Sequence, residues 1–275
     1  MEIDAKLVMK LRAETDAPVM ECKAALTEAG GDYEKAKQIL REKGKAAAAK
    51  RADRATGAGV AMMISDASNK KVGGVLLESE TDFVAKNPEF IATAESIAAA
   101  YVDHDPGADP LAALANGKTV GTLVEESVAK IRENIKVSKA VHLAGDAVAV
   151  YVHHDKTKAA AVVLEGDSPN LLEAGRKLAI QCVAGNPKYV SKEQVPSDIV
   201  EKEIATETQR AINEGKAADV AANIAKGRVN KEFYQNQVLL EQPFYADNKK
   251  TVSQYLQEQG GTIKVLGFER LAVGE

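Results

Sequence analysis

Apolar residues recur at helical spacing through the first 45 positions and at the shorter period of strands from about position 59. Leu7, Val8 and Leu11 form one stripe. After the break Thr15-Asp16-Ala17-Pro18, where Pro18 suits a first helical turn, Cys22, Ala25, Leu26 and Ala29 form a second, halted by Gly30-Gly31. Asp32 is placed to cap a third helix, with Ala36, Ile39 and Leu40 inward and Gly44 at its close. Residues 1–45 are therefore expected to form a three-helix module with a small core. Residues 46–58 are Ala-rich and basic, without large apolar groups, and read as a linker that starts out helical.

From Gly59 the chain repeats itself at an offset of about 87 residues: GVAMMISDASNKKVGGVLLESE aligns without a gap on DAVAVYVHHDKTKAAAVVLEGD. In each copy an apolar run meets a polar turn, Asp66 to Lys71 or His153 to Lys158, and a second apolar run ends in acids. That pattern predicts two hairpins, each followed by a helix. In the second copy Ser168-Pro169 is the expected N-cap and N1 pair. In the first copy the matching Asn87-Pro88 arrives later, and the extra residues are TDFVAK, 81–86.

Residues 196–240 are highly charged with thin apolar stripes. Ile199, Val200, Ile204, Ala211 and Ile212 lead to Gly215, and Val220, Ile224, Val229 and Phe233 mark the return, interrupted by Gly227, which suits an αα-hairpin. QVLLEQPFY and GTIKVLGFERLAV then regain strand character and are expected to join the second repeat's sheet. The fold class is α+β: the three-helix module, a first α+β subdomain over 59–140, and a second over 141–275 that carries the hairpin at about 196–230.

Composition narrows the chemistry. The chain has 275 residues, 45% of them hydrophobic but only 4% aromatic and none Trp, so Ala, Val, Leu and Ile must fill the cores and each aromatic stands out. A net charge of −4 argues against a general nucleic-acid surface. No stretch approaches the ~20 apolar residues of a membrane span, and a cytoplasmic protein is expected. Cys22 and Cys182, the only cysteines, lie far apart in no metal-binding spacing and read as buried thiols.

Catalytic signatures fail one by one. Gly117-Lys118-Thr119 resembles the end of a phosphate loop, but Ala112 stands where its first glycine is required. GAGVAM at Gly57 lacks a third glycine and precedes a strand. His153-His154-Asp155 invites a metal reading, but adjacent side chains on a strand point to opposite faces and the pair sits at a hairpin turn, so joint chelation is geometrically poor and no metal or cofactor is expected. The chain does not read as an enzyme. Phe83 remains open to two readings: a plug folded beneath its hairpin, or a ring displayed on a loop edged by Glu78, Glu80, Asp82 and Lys86.

Three blocks carry a resemblance. LRAETDAPVMECKAALTEAGGDYEKAKQILREKG, ETDFVAKNPEF and LLEQPF with a terminal VGE resemble the bacterial elongation factor Ts family over nearly the whole chain. The resemblance implies a ubiquitin-associated-like N-terminal domain, a core of two similar α+β subdomains with antiparallel sheets, and a protruding helical hairpin. It implies guanine-nucleotide exchange on elongation factor Tu, with Asp82 and Phe83, flanked by Thr81 and Val84, entering the GTPase near its magnesium and phosphate site. It further implies contacts from Leu11, Val19 and Met20, and from His153 of a Tyr151-Val152-His153 motif. A homodimer or a 2:2 complex with the GTPase is compatible with this reading. So is a different class of protein, an adaptor with a dimerising core that binds a partner without exchanging its nucleotide. Three departures stand out: the TDAPVM turn is less glycine-rich than in relatives, Arg132 occupies a position usually glycine, and the sequence ends at VGE where many relatives continue into a helical tail.

Overall fold

A computed structural model describes residues 3–15 and 17–275. Helices α1 (Ala5–Thr15), α2 (Val19–Glu28) and α3 (Tyr33–Ala49) form the N-terminal module. Val8, Leu11, Cys22, Ala25, Leu26, Ala36 and Leu40 make its core. The Asp32 carboxylate accepts from the Lys35 N–H at 3.0 Å, as an N-cap should. Gly30 and Gly31 take φ of 64° and 90°, which ends α2. Pro18 precedes α2 as its N-cap instead of entering the first turn, and Asp16 of the same break lies outside the described residues.

Gly44 does not close α3, which continues to Ala49. A Cβ at Gly44 would lie 3.1 Å from the Ala129 Cβ, so the glycine serves a close helix approach, and the alanines after it have high helix propensity. The helix therefore runs past the expected boundary at 45.

Strands β1 (Ala58–Ser65) and β2 (Lys71–Ser79) form the first hairpin, followed by a single turn, α4 (Asp82–Ala85), and by α5 (Pro88–Asp103). Asn87 caps α5 by accepting from the Glu89 N–H at 2.9 Å, with Pro88 at N1 as expected. Phe90, Ile97 and Tyr101 are fully buried along α5. Two short strands, β3 (Leu114–Ala115) and β4 (Lys118–Thr119), lead into α6 (Val120–Ile131) and β5 (Ile135–Ala144). The order β1-β2-β5 makes one three-stranded sheet. The Gly-Lys-Thr segment is a hairpin: Asn116 and Gly117 take φ of 53° and 78°, and Thr119 caps α6 by accepting from the Thr122 N–H at 3.1 Å.

Strands β6 (Ala147–Val152) and β7 (Lys158–Glu165) repeat the hairpin, and α7 (Leu171–Gly185) repeats the helix. Asn170 occupies the N-cap of α7, not Ser168. The Ser168 hydroxyl instead accepts from the Asn170 N–H at 3.1 Å and donates to the Gln259 carbonyl at 3.2 Å, so it fixes the entry turn. The segment between strand and helix spans 80–87 in the first copy and 166–170 in the second, an insertion shorter than TDFVAK.

Helices α8 (Ser197–Asn213) and α9 (Ala218–Arg228) pack as the expected hairpin, turning at Gly215 with φ of 86°. Their contact is closed by Ala211, Ala221 and Ala225, while Ile212 and Val220 face outward. Glu207 is buried there and paired with Arg228 at 3.3 Å and Arg210 at 3.2 Å. Gly227 does not interrupt the return, which continues as a π-turn over Val229–Phe233 and a short α10 (Tyr234–Gln237).

Only one of the two tail segments joins the second sheet. Strand β10 (Lys264–Ala272) gives the order β10-β7-β6, whereas β8 (Pro243–Phe244) pairs with β9 (Asp247–Thr251) in a separate ribbon before α11 (Val252–Gln257). Pro243 has no N–H to offer a ladder. The architecture is α+β. It divides into two compact units, residues 1–62 with 73–141 and 272–275, and residues 63–72 with 142–271.

The repeat holds at the level of single hydrogen bonds. Asp66 N–H donates to the Lys71 carbonyl and His153 N–H to the Lys158 carbonyl, each at 2.9 Å. Asn69 and Lys156 occupy the same left-handed position, with φ of 53° and 57°. A second correspondence joins Lys118-Thr119-Val120 to Lys250-Thr251-Val252. Each follows a short hairpin, and each threonine caps the next helix, Thr251 accepting from the Gln254 N–H at 3.2 Å.

Candidate partner-binding site

The insertion TDFVAK folds into α4 because its ends are chemically fixed. Thr81 is extended, at φ −124°, and its hydroxyl oxygen accepts from the Val84 N–H at 3.4 Å. Asp82 supplies a carboxylate at the first turn, where the helix dipole favours it, and Asn87-Pro88 stops the turn one step later. A helix this short has no stability of its own, so its order must come from anchors.

Those anchors lie on the loop after α6. The Glu133 carboxylate accepts from the Thr81 N–H at 3.0 Å and the Thr81 hydroxyl at 2.7 Å. The neighbouring Asn134 N–H donates to Glu80 at 2.7 Å, and its side-chain amide donates to the carbonyls of Ala52 and Arg54 at 3.2 and 2.7 Å. Arg54 returns to Glu80 at 3.3 Å. The Glu80 carboxyl is held below the usual carboxylate range, chiefly by the Asn134 N–H. Sequence reasoning missed Glu133 and Asn134, and no local signal marks them, since their partners lie some fifty residues away.

On this base Phe83 is 83% exposed, the most exposed large hydrophobic residue among those described. The plug reading is excluded. Asp82 beside it is exposed and paired with Lys86 at 2.6 Å, and that ammonium holds its carboxyl below the usual range. Thr81 and Val84 are half-buried and tie the turn to the body. The arrangement offers an apolar ring and an ionised carboxylate side by side on a fixed turn.

In the N-terminal module Met20 is 73% and Val19 is 41% exposed at the start of α2, beside exposed Pro18. Leu11 is different: it is fully buried in the three-helix core, so it supports this surface from beneath and cannot itself meet a partner. Met9, half exposed on α1, is an apolar surface residue that the stripe pattern alone did not single out.

In the second unit His153 is half-buried at the end of the β6 hairpin, its Nδ1 2.9 Å from the Tyr151 hydroxyl. The Tyr-x-His pair is therefore a contact, with the two rings edge to face at 6.0 Å. The strand-alternation argument does not apply to the residues that follow, because β6 ends at Val152. His154 stacks obliquely on His153 at 4.4 Å, and one ligand atom from each histidine and from Asp155 lies within 4.8 Å of the others. Cys22 and Cys182 are both buried and free, as their isolation in the sequence predicts. No helix among the described residues is long and apolar enough to cross a membrane.

The family model described as Elongation factor TS matches residues 80–275, which include Thr81 to Val84, Glu133 and His153. The elongation factor Ts of Amoebophilus asiaticus (strain 5a2) is 39% identical over 277 aligned residues, and that of Cutibacterium acnes (strain DSM 16379 / KPA171202) is 42% identical over 283, in each case spanning the whole of both chains. The elongation factor Ts of Aquifex aeolicus (strain VF5) is 38% identical over 289 residues, spanning all of this chain and 99% of that protein. With the family model covering most of the chain and full-length relatives near 40% identity, this protein belongs to the elongation factor Ts family.

Proposed function

We propose that the chain is a guanine-nucleotide exchange factor that acts in the cytoplasm on elongation factor Tu during translation elongation. The observation that carries this reading is Phe83, a large apolar side chain held in solvent on a turn anchored at Thr81. Bound GDP is held by Mg²⁺ and by the backbone that cradles its phosphates, so a wedge entering there removes contacts that favour the nucleotide. Asp82 brings a negative charge to the same place. The factor then binds the empty GTPase best, and by linkage incoming nucleotide expels it by the same free energy. It accelerates release without making or breaking a covalent bond.

One ring cannot supply the whole effect. Burying a Phe is worth about 1.5–3 kcal/mol, whereas a ~10⁴-fold shift between states needs about 5.5 kcal/mol. Exposed Val19 and Met20 on the N-terminal module and His153 on the second unit supply further contacts in this reading. The domain division at 1–45, 46–58, 59–140 and 141–275 goes with it, as a division of contacts among modules. Release of fluorescent GDP from elongation factor Tu, with and without this protein, is the test. Accelerated release supports exchange; a stable complex with an unchanged release rate supports the adaptor instead.

A further inference from the structure

We propose that the turn His153-His154-Asp155 binds a transition-metal dication of the zinc class through two imidazole nitrogens and one carboxylate oxygen. The three candidate ligand atoms lie within 4.8 Å of one another, and no other group of three such side chains gathers this way among the described residues. In tetrahedral coordination with bonds of about 2.0–2.1 Å, neighbouring ligand atoms stand about 3.4 Å apart. Closing the remaining ångström or so needs only side-chain rotation, because His154 and Asp155 are exposed on a hairpin end.

The surroundings prepare the ligands. The Tyr151 hydroxyl lies 2.9 Å from His153 Nδ1, and in the tautomer that donates Nδ1–H to that oxygen, Nε2 carries the lone pair a metal takes. Both bonds made by Asp155 fall on Oδ1, from the Thr157 N–H at 2.9 Å and the Thr157 hydroxyl at 2.8 Å, which leaves Oδ2 for a cation. Backbone geometry fixes the loop itself, with the Lys156 N–H donating to the His153 carbonyl at 2.8 Å and Lys156 in the left-handed region. Lys156 and Lys158 flank the turn and oppose binding by charge alone. The site therefore selects for metals that bond well to imidazole, Zn²⁺, Ni²⁺ or Cu²⁺, over the hard cation Mg²⁺. Three protein ligands leave a fourth position for water.

The test is calorimetric titration of the tag-free full-length chain with Zn²⁺, which needs no partner and so stands apart from the exchange reading. The expected result is one site with Kd of about micromolar order, unaffected by millimolar Mg²⁺. His154→Ala and Asp155→Asn should each weaken it about tenfold or more. The buried thiols of Cys22 and Cys182 do not compete in the folded protein. Binding no tighter than about millimolar, or binding unchanged in His154→Ala, overturns the proposal.

Discussion

Glu133→Ala removes both hydrogen bonds that hold the start of α4, one from the Thr81 N–H at 3.0 Å and one from its hydroxyl at 2.7 Å. Bonds to an ionised acceptor contribute about 1.5–3 kcal/mol each, and water replaces part of that at a half-buried position, so a net loss of about 1.5–3 kcal/mol is expected. At about 1.4 kcal/mol per decade, the ratio of anchored to open turn falls roughly ten- to a hundredfold. Phe83 would remain in the protein but would no longer be held where it acts. Competence for exchange follows the anchored fraction: with the anchored turn favoured about tenfold in the wild type, that fraction falls from about 0.9 to between about 0.5 and 0.1, and catalysed GDP release at subsaturating concentrations should fall about two- to tenfold. The two bonds fall on different carboxylate oxygens, so Glu133→Gln, with one acceptor oxygen left, should recover about half of that loss or less, which separates positioning from general damage. Stopped-flow release of fluorescent GDP from elongation factor Tu reads the effect, and amide hydrogen exchange at Thr81 and Val84 should quicken in the alanine variant. Wild-type release rates from Glu133→Ala would refute the reasoning, because the turn would then hold its shape without its anchor.

Three further outcomes follow from the same structure. Met20→Ala, at a side chain 73% exposed, should leave thermal melting unchanged and weaken calorimetric binding to elongation factor Tu about tenfold, the value of burying one such side chain. Asp66 is pushed down to about 2, first by the Ser68 hydroxyl and then by the Lys71 N–H. Because the folded value lies below the usual 3.8, its contribution to the turn is complete above about pH 4 and is lost as the pH falls through about 2. A carboxyl NMR titration midpoint at 3.8 would contradict this. Arg132 takes φ of 67°, where a side chain costs roughly 1–2 kcal/mol that glycine avoids. Its ion pair with Glu21 joins two half-exposed groups and is worth little, so Arg132→Gly should raise the unfolding free energy by about 0.5–1 kcal/mol in denaturant titration.

Local chemistry is what the sequence makes legible. Asp32 and Asn87-Pro88 cap helices because the groups involved are two or three residues apart, and the repeated hairpins follow from apolar runs and turn residues in one window. The exposure of Phe83 is foreshadowed by its place in an insertion. What sequence cannot display is pairing over distance. Glu133 and Asn134 meet Thr81 and Glu80 only because β2, α6 and β5 bring them together, and nothing in their own neighbourhood announces it. Gly44 looks like a stop signal but serves a contact with Ala129 on α6. Leu11 and Met20 sit on similar apolar patterns, and only the packing of three helices decides that the first is sealed and the second displayed. At His153-His154 the turn is legible, but not the side-chain geometry that gathers both rings and Asp155.

The exposed ring at position 83 carries the functional account, so its removal is the most direct measurement. Phe83→Ala should retain the wild-type melting temperature, since the ring contributes almost nothing to its own core, and should slow catalysed GDP release from elongation factor Tu by about ten- to a hundredfold. Full exchange activity in a folded Phe83→Ala variant would contradict the account.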